Sequence, residues 1–249
     1  MSIPPKQTAS FKLQKRVRER FGKAIKHFSL LSEGDHILVG LSGGKDSLAL
    51  LQLLGEYKRR APFAFHITAL HVRMEGIEYH SSTNYLEQFA HSNGAAFVLK
   101  TTSFEPDRQA HRTPCFLCSW NRRKQLFETA QEMGCNKIAL GHHQDDILHT
   151  ALMNLSFSGS FSTMPVVLQM RKFPIRIIRP LCYEHEADLN EWQFIMQYIP
   201  QTKKCPHEHQ SERTNISHLF QEMQTHNPEF RHSLWRALEK EGKLVEEES

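Results

Sequence analysis

The chain has 249 residues, 39% of them hydrophobic and 23% charged, which is the composition of a globular protein with a full hydrophobic core. Its formal net charge of +4 permits contact with nucleic acid but is too small to indicate it. The first ten residues lack a signal-peptide core, no run approaches the ~18 apolar residues of a membrane span, and the cysteine content favours reduced thiols or metal ligands over disulfides, so we expect a cytoplasmic protein without a membrane partner.

The first predicted element is an amphipathic helix from Ser10 to Leu31, and residues 1–7 before it are predicted to lack structure. Apolar residues recur on one face at helical spacing, while lysines and arginines occupy the other faces. Such a helix packs its apolar face on a domain, and its cations either face solvent or contact RNA phosphates. We assign residues 1–31 to this basic N-terminal element.

A strand-to-helix turn follows. An apolar strand from His36 to Leu41 leads directly to a helix at about Asp46–Arg60, and the turn between them reads Ser-Gly-Gly-Lys-Asp-Ser, residues 42–47. Paired glycines let successive backbone N–H groups point at one oxyanion, and a helix start adds unpaired donors and the positive end of its dipole. The spacing of the glycines fits neither a Walker A loop nor a dinucleotide fingerprint. The predicted anion-binding residues are Ser42, Gly43, Gly44, Lys45, Asp46 and Ser47.

Strands and helices then alternate along the chain. We predict strands at 65–72, 96–101, 137–141 and 175–181, and helices at 80–92, 119–133, 146–157 and 184–198. This alternation predicts an α/β fold, a doubly wound parallel sheet with helices on both faces and ligand sites at the carboxyl ends of its strands. We assign residues 32–205 to this domain and 206–249 to a polar C-terminal extension with one helix near 216–225.

Two adjacent acids, Asp145 and Asp146, follow Gly141-His142-His143 where a strand ends and a helix begins. Carboxylates that face a nucleotide suit Mg²⁺, which prefers oxygen ligands shared between protein and phosphate. The same acids would also stabilise a helix start without any chemistry. Because the anion-binding turn lies on the same predicted sheet edge, we favour the magnesium role for one of the two.

A third motif is Cys115-x-x-Cys118, which enters a basic helix that contains Arg122. Two thiolates at this spacing chelate a metal centre, but the motif also fits a redox pair or two core cysteines. Cys205 lies in polar sequence and is a third candidate ligand. The two remaining cysteines, both in apolar surroundings, are predicted to fill the core: Cys135 and Cys182.

The hexapeptide at 42–47 resembles the pyrophosphate loop of the PP-loop ATP pyrophosphatases, which cleave ATP between the α- and β-phosphates and adenylate a carbonyl oxygen. Over roughly residues 10–230 the motifs resemble, in their order along the chain, those of the tRNA 2-thiocytidine synthetases. These motifs are the loop, Cys115-x-x-Cys118, Gly141-His142-His143-x-Asp145-Asp146, Met164-Pro165, Ile178-Arg179-Pro180-Leu181 and Cys205.

The resemblance implies ATP-dependent thiolation of a cytidine in the tRNA anticodon loop. It implies a 4Fe–4S cluster on Cys115, Cys118 and Cys205, with one open iron for an exogenous sulfide. It also implies that tRNA is the substrate, that a cysteine desulfurase or free sulfide donates the sulfur, and that the chain forms a homodimer. ATP and Mg²⁺ would be held by the turn together with Gly141 and His142. The expected catalytic residues are Lys45, Asp46, Asp145, Asp146 and Arg122.

Other functions remain open at this point. His149-Thr150 and the segment 160–163 differ from the family pattern and keep open a thiolase for another base. An enzyme like the tRNA lysidine synthetases would need the loop but no cluster. A zinc-stabilised RNA- or nucleotide-binding module would close a Cys₃His site with one histidine, taken from His111, His207 and His209.

Overall fold

A computed structural model of the chain describes residues 5–79, 82–103, 114–201, 203–204 and 212–246. Its helices are α1 (Pro5–His27), α2 (Lys45–Lys58), α3 (Thr83–Ser92), α4 (Pro114–Glu132), α5 (Gln144–Ser158), α6 (Glu186–Ile195), α7 (Glu212–His226) and α8 (Phe230–Lys240). Its strands are β1 (His36–Gly40), β2 (His66–Met74), β3 (Glu78–Tyr79), β4 (Ala96–Thr102), β5 (Lys137–Ala139), β6 (Val167–Gln169), β7 (Arg176–Ile178), β8 (Lys203–Lys204) and β9 (Val245–Glu246). Within these ranges, no helix combines the length and the apolarity needed to cross a bilayer.

The main sheet has the strand order β4-β2-β1-β5-β7-β6-β9. Neighbouring strands are parallel except β6 and β7, which pair antiparallel. The chain builds outward from β1 to β2 and β4 and then returns to β5 on the other side of β1. The carboxyl ends of β1 and β5 therefore flank the point where the order reverses, which is the usual ligand position in such sheets. The predicted α/β fold is confirmed, with the antiparallel pair as an addition.

Helices cover both faces of the sheet. Ile37 and Val39 of β1 join a large core that also takes residues from α1, α2 and α5 to α8, whereas Leu38 joins a smaller core that includes Ala130 of α4. Such double burial is why the central strands are nearly continuous apolar runs. The helix α1 buries Leu13 and its neighbours in the large core, which confirms that its apolar face packs on the domain.

Two of the five cysteines lie in the cores, as predicted. Cys135 is 5% exposed and Cys182 is fully buried. Burial raises the pKa of the Cys135 thiol to about 11 and that of Cys182 well above its usual value. Because the thiolate is the form that binds metals, neither side chain is suited to be a ligand at neutral pH.

The C-terminal region differs most from the prediction. In place of a polar extension with one helix, α7 and α8 pack on the domain, and Ile216, Phe220 and Trp235 join its core. The strand β9 then pairs with β6 at the edge of the sheet. These short strands have too few residues for an alternating pattern to be recognised. At the other end, α1 begins at Pro5, inside the segment predicted to lack structure.

Candidate active site

A cavity of about 450 Å³ opens at the carboxyl ends of β1 and β5. One polar wall comes from the turn at 42–47 and the other from residues 141–142 and the start of α5. The apolar walls come from β2, α4 and the end of β5. The predicted site residues that line it are Ser42, Gly44, Asp46, Ser47, Arg122, Gly141, His142 and Asp146.

The turn is held in shape by its two serines. The Ser47 hydroxyl accepts the Gly43 N–H at 3.1 Å and donates to the Gly44 carbonyl at 2.9 Å, while the Ser42 hydroxyl accepts the Gly44 N–H at 3.3 Å. The backbone of Gly43 has a φ of 86°, a conformation that favours glycine. The turn is therefore preorganised, and its hydroxyls and N–H groups lie where an oxyanion would be bound.

Gln201, in the segment after α6, covers this turn and was not predicted as a site residue. Its backbone N–H donates to the Gly43 carbonyl at 2.9 Å, and its side chain also lines the cavity. A Cβ atom added at Gly43 would lie only 2.6 Å from the Gln201 Cβ. Contact this close leaves no room for any side chain at Gly43.

We expect the Gly43→Ala variant to lose at least about tenfold in ATP affinity, because the new methyl group displaces Gln201 and strains the turn. Isothermal titration calorimetry with ATP would measure the loss. Gly34→Ala is the matched control, since Gly34 has a φ of 78° but nothing within 4 Å of the added atom. The control carries the same backbone strain without the collision. Equal ATP affinity in the two variants would contradict this account of Gly43.

The two predicted motifs meet at a backbone contact. A Cβ atom added at Gly141 would lie 3.0 Å from the Asp46 carbonyl oxygen and 3.1 Å from the Ser47 nitrogen. Glycine at 141 therefore allows the turn before α5 to lie against the first turn of α2. This contact confirms that the two motifs share one edge of the sheet.

The adjacent acids at the start of α5 face different surroundings. Asp146 lines the cavity, and its Oδ2 accepts the backbone N–H of His143 at 3.0 Å, so it also caps the helix. Asp145 does not line the cavity. Its carboxylate accepts hydrogen bonds from Arg231 of α8 at 2.5 Å and from the backbone N–H of Glu186 at 2.9 Å. Asp145 therefore ties α5 to α6 and α8.

This ion pair is buried enough to affect stability. Burial by itself would raise the pKa of Asp145, but the hydrogen bond and charge of Arg231 outweigh it and hold that pKa below its usual value of 3.8. A carboxyl group with a lowered native pKa stabilises the fold above its unfolded pKa, and that contribution is lost as the pH falls through the native pKa. The contribution of Asp145 is therefore complete at neutral pH and disappears in acid.

The variant Asp145→Asn should lose about 2–4 kcal/mol of unfolding free energy at pH 7, because Arg231 is left without its partner charge. Urea unfolding at several pH values would measure this. The difference from the wild type should shrink as the pH falls from about 4 through the lowered native pKa, because the wild-type carboxyl group then becomes protonated. Glu87→Gln, at an exposed acid of α3, should change stability by less than about 0.5 kcal/mol. A loss that does not depend on pH would contradict the ion-pair explanation.

Lys45 is paired with Asp46 in this structure, and its Nζ donates to Asp46 Oδ2 at 3.1 Å. Its Nζ lies 3.0 Å from Asp46 Oδ1 and 3.8 Å from Glu186 Oε1, and it does not line the cavity. Asp46 Oδ1 is buried and makes no hydrogen bond of good geometry with the described residues. This oxygen is therefore suited to bind a cation such as Mg²⁺.

One face of α4 carries a cation at the cavity wall and a thiol one helical turn away. Arg122 donates from Nη2 to the Tyr79 hydroxyl at 2.8 Å, and its Nε is buried without a hydrogen-bond partner among the described residues. Leu126, four residues on, also lines the cavity. Cys118, four residues before Arg122, lies on the same helix face and is a half-buried free thiol. Cys118 is therefore about one helical turn from the cavity wall.

The other two predicted cluster ligands are Cys115 and Cys205. Cys115 belongs to the first turn of α4, but its side chain lies outside the described set, and Cys205 lies outside the described residues. The residues just before Cys205 form β8, in which Lys203 pairs with Tyr79 of β3. Among the described residues, no three His, Cys, Asp or Glu side chains are arranged to hold a metal ion. The cluster therefore stays a prediction.

Arg179 contacts a residue of the cavity wall, although in the sequence it stands out only as part of a motif. Its guanidinium donates to His142 Nδ1 at 3.3 Å and to the Pro165 carbonyl. Burial lowers the pKa of Arg179 to about 10, which still leaves it charged at neutral pH. It therefore places a fixed positive charge behind His142 and fixes the turn before α5.

The arginines of α1 are engaged within the protein. Arg16 donates to Asp188 at 2.6 Å, Arg20 donates to the same carboxylate at 2.5 Å, and Arg18 donates to Glu56 at 2.7 Å. These contacts attach α1 to α2 and α6. They weaken the interpretation of the α1 arginines as phosphate contacts.

Comparison with known proteins agrees with this architecture. A family model described as a PP-loop domain matches residues 13–203. The tRNA-cytidine(32) 2-sulfurtransferase of Alcanivorax borkumensis is 35% identical over 230 residues, covering 90% of this chain and 80% of the relative. The protein of that name from Aeromonas salmonicida is 38% identical over 218 residues, covering 85% and 71%. The solved U34-tRNA thiolase NcsA from Methanococcus maripaludis, with its 4Fe–4S cluster, matches with a TM-score of 0.75 at 25% identity and covers 96% and 82%.

Proposed function

The chain belongs to the PP-loop family and, within it, to the tRNA-cytidine(32) 2-sulfurtransferases, and from this premise we propose that it replaces the C2 oxygen of a tRNA cytidine with sulfur, using ATP. One observation of the structure supports the proposal most. The turn at 42–47 and Arg122 of α4 line one cavity, and the free thiol of Cys118 lies on the same face of α4, one helical turn before Arg122. An anion-binding turn and a thiol-bearing helix are the two parts that ATP-dependent thiolation needs.

The reaction has two chemical steps. The C2 oxygen of cytosine is a poor leaving group, so it first attacks the α-phosphate of ATP, and the bond between the α- and β-phosphates breaks to release pyrophosphate. Hydrosulfide then attacks C2, the C2–O bond breaks, and AMP leaves with that oxygen. The balance is cytidine, ATP and hydrosulfide to 2-thiocytidine, AMP and pyrophosphate. The protein must therefore stabilise the charge on pyrophosphate and keep water from attacking the adenylate.

The turn at 42–47 would bind the pyrophosphate end of ATP. The N–H groups at the start of α2 would donate to phosphate oxygens, and the Ser42 and Ser47 hydroxyls, which hold the Gly43 and Gly44 N–H groups in this structure, line the same cavity as Gln201. Lys45 would add a positive charge as the pyrophosphate leaves. Because its Nζ is paired with Asp46 here, that role requires Asp46 to exchange Lys45 for another cation.

Asp46 and Asp146 would hold Mg²⁺, and this ion would take the place of Lys45 beside Asp46. Both line the cavity, and Asp46 Oδ1 is buried without a well-placed donor. When bound, Mg²⁺ neutralises phosphate charge and polarises the phosphoryl group that is attacked. We do not assign Asp145 to the metal, because its carboxylate is occupied by Arg231 and a backbone N–H. Asp145 acts through the position of α5.

Cys118, Cys115 and Cys205 would hold the 4Fe–4S cluster. When bound by three thiolates, such a cluster keeps one iron open for exogenous sulfide. The fit is supported by the free, half-buried thiol of Cys118 and by the pairing of β8, just before Cys205, with β3. Arg122 would place its guanidinium between this thiol and the nucleotide. The sulfur donor, a homodimer and a cytoplasmic location remain predictions.

The direct test uses the anaerobically purified holoprotein with ATP, sulfide and a tRNA transcript. We expect 2-thiocytidine, AMP and pyrophosphate in a 1:1:1 ratio, measured by mass spectrometry and pyrophosphate release. An ATP analogue with a methylene bridge between the α- and β-phosphates should give no product. The matched analogue bridged between the β- and γ-phosphates should still support the reaction. Pyrophosphate release without a thiolated nucleoside would contradict the proposal.

A further inference from the structure

His71, in β2, lines the cavity but belongs to none of the predicted motifs. Its side chain lines the cavity, although the residue is only 1% exposed. The Nδ1 atom lies 2.7 Å from the backbone carbonyl oxygen of Leu41, at the start of the turn. A carbonyl oxygen only accepts hydrogen bonds, so Nδ1 must carry the proton. The contact with Leu41 thus fixes the tautomer of the ring.

The other ring nitrogen is consequently a bare acceptor. Burial lowers the pKa of His71, and the charges of Arg122 and Arg73 lower it further, so the ring is neutral at physiological pH despite its bond to Leu41. The Nε2 atom is buried and has no hydrogen-bond partner among the described residues. Buried acceptors without a donor are rare in folded proteins. A bound ligand is the natural source of the missing donor.

The chemistry of the cavity limits what that donor is. The turn at 42–47 and Arg122 present N–H groups, which suit phosphate oxygens. A neutral acceptor cannot bind a phosphate oxygen, because two lone pairs would face each other. An exocyclic amine of a nucleobase is a donor without acceptor capacity and complements Nε2. We propose that His71 reads the exocyclic amino group of a nucleobase bound in this cavity.

Two bases bring such an amine to the cavity. One is the adenine of ATP, which follows from membership of the PP-loop family alone. The other is the target cytosine, and that source rests on the proposed function. In both cases the deaminated counterpart, inosine or uridine, presents a carbonyl oxygen in place of the amine. His71 would therefore reject the deaminated base, because Nε2 would face another acceptor.

The test uses the variant His71→Asn. Its side-chain amide can keep the hydrogen bond to the Leu41 carbonyl, but it removes the acceptor at Nε2. Calorimetry on the holoprotein would give the ratio of ITP to ATP dissociation constants. Thiolation of two transcripts, one with cytidine and one with uridine at the target position, would give the ratio of the cytidine rate to the uridine rate. The wild type should prefer the amino base, and the variant should lower one of these two ratios by about tenfold or more.

Matched variants separate recognition from structure. His36→Asn replaces a histidine of β1 that does not line the cavity, and it should leave both ratios unchanged. His71→Phe keeps the ring without any nitrogen, and it provides the same comparison if His71→Asn does not fold. Unchanged ratios, or equal weakening of ATP and ITP, would overturn the inference. If the wild type thiolates neither transcript, the proposed function fails. The ratio of ITP to ATP dissociation constants then decides the role of His71 alone.

Discussion

Replacing Asp146 with asparagine should lower the rate of ATP-dependent thiolation by about a hundredfold to a thousandfold. The carboxylate lines the cavity, and its loss removes a hard oxygen ligand for Mg²⁺. An asparagine oxygen can still accept the His143 N–H, so the start of α5 should keep its cap. Steady-state kinetics over a Mg²⁺ titration should show that more Mg²⁺ is needed, with unfolding free energy nearly unchanged.

The adjacent acid is the matched control for this prediction. Asp145→Asn changes the same chemical group one residue away, but Asp145 bonds to Arg231 and does not line the cavity. We expect this variant to be less stable yet to retain turnover within a few fold when assayed at a temperature where it is folded. If Asp145→Asn loses the activity and Asp146→Asn keeps it, the metal assignment is wrong.

The second large effect is expected for Cys118→Ser. The wild-type protein purified without oxygen should contain about four irons per chain, and the variant should lose the cluster and all thiolation. A hydroxyl group is a far poorer ligand for iron than a thiolate. Iron analysis and the visible absorption spectrum would measure the cluster, and nucleoside mass spectrometry would measure thiolation.

Cys135→Ser is the control for this variant. The Cys135 thiol is buried in the core, with a pKa raised to about 11, and is not expected to bind metal. Its replacement should reduce stability and leave the iron content unchanged. Colourless wild-type protein with one zinc would support the zinc-binding module in place of the cluster. A Cys118→Ser variant with full iron and full activity would remove Cys118 from the ligand set.

The sequence was most informative where chemistry is concentrated in short, contiguous motifs. The turn at 42–47 could be predicted because its glycines and serines lie between a recognisable strand and helix. The meeting of this turn with Gly141 followed from the rule that parallel strands end at one edge. The family resemblance then supplied the expected cluster and the substrate, which no periodicity could have provided.

Other parts of the site depend on long-range contacts and could not be predicted. Gln201 lies far along the chain from Gly43, and only the folded structure brings it over the turn. The roles of Asp145 and Asp146 separate only when Arg231 is placed beside one of them. The helix α8, which provides that arginine, carries Phe230, Leu234 and Leu238 at helical spacing and is recognisable in the sequence, but its position beside Asp145 is not.

His71 shows a further limit of sequence reasoning. It lies within the strand predicted at 65–72, and nothing local indicates its tautomer. The backbone carbonyl of Leu41, the residue that follows β1, determines which nitrogen of His71 is protonated. Hydrogen-bond direction of this kind depends on strand register, so it becomes visible only when both strands are in place.

The most direct test of the account is the 2-thiocytidine content of tRNA from a strain in which the gene for this chain is deleted. We expect the modified nucleoside to disappear on deletion, to return when the wild-type gene is restored, and to stay absent when the Cys118→Ser gene is supplied. Mass spectrometry of digested tRNA measures all three. A level of 2-thiocytidine that the deletion does not change would contradict the proposed function.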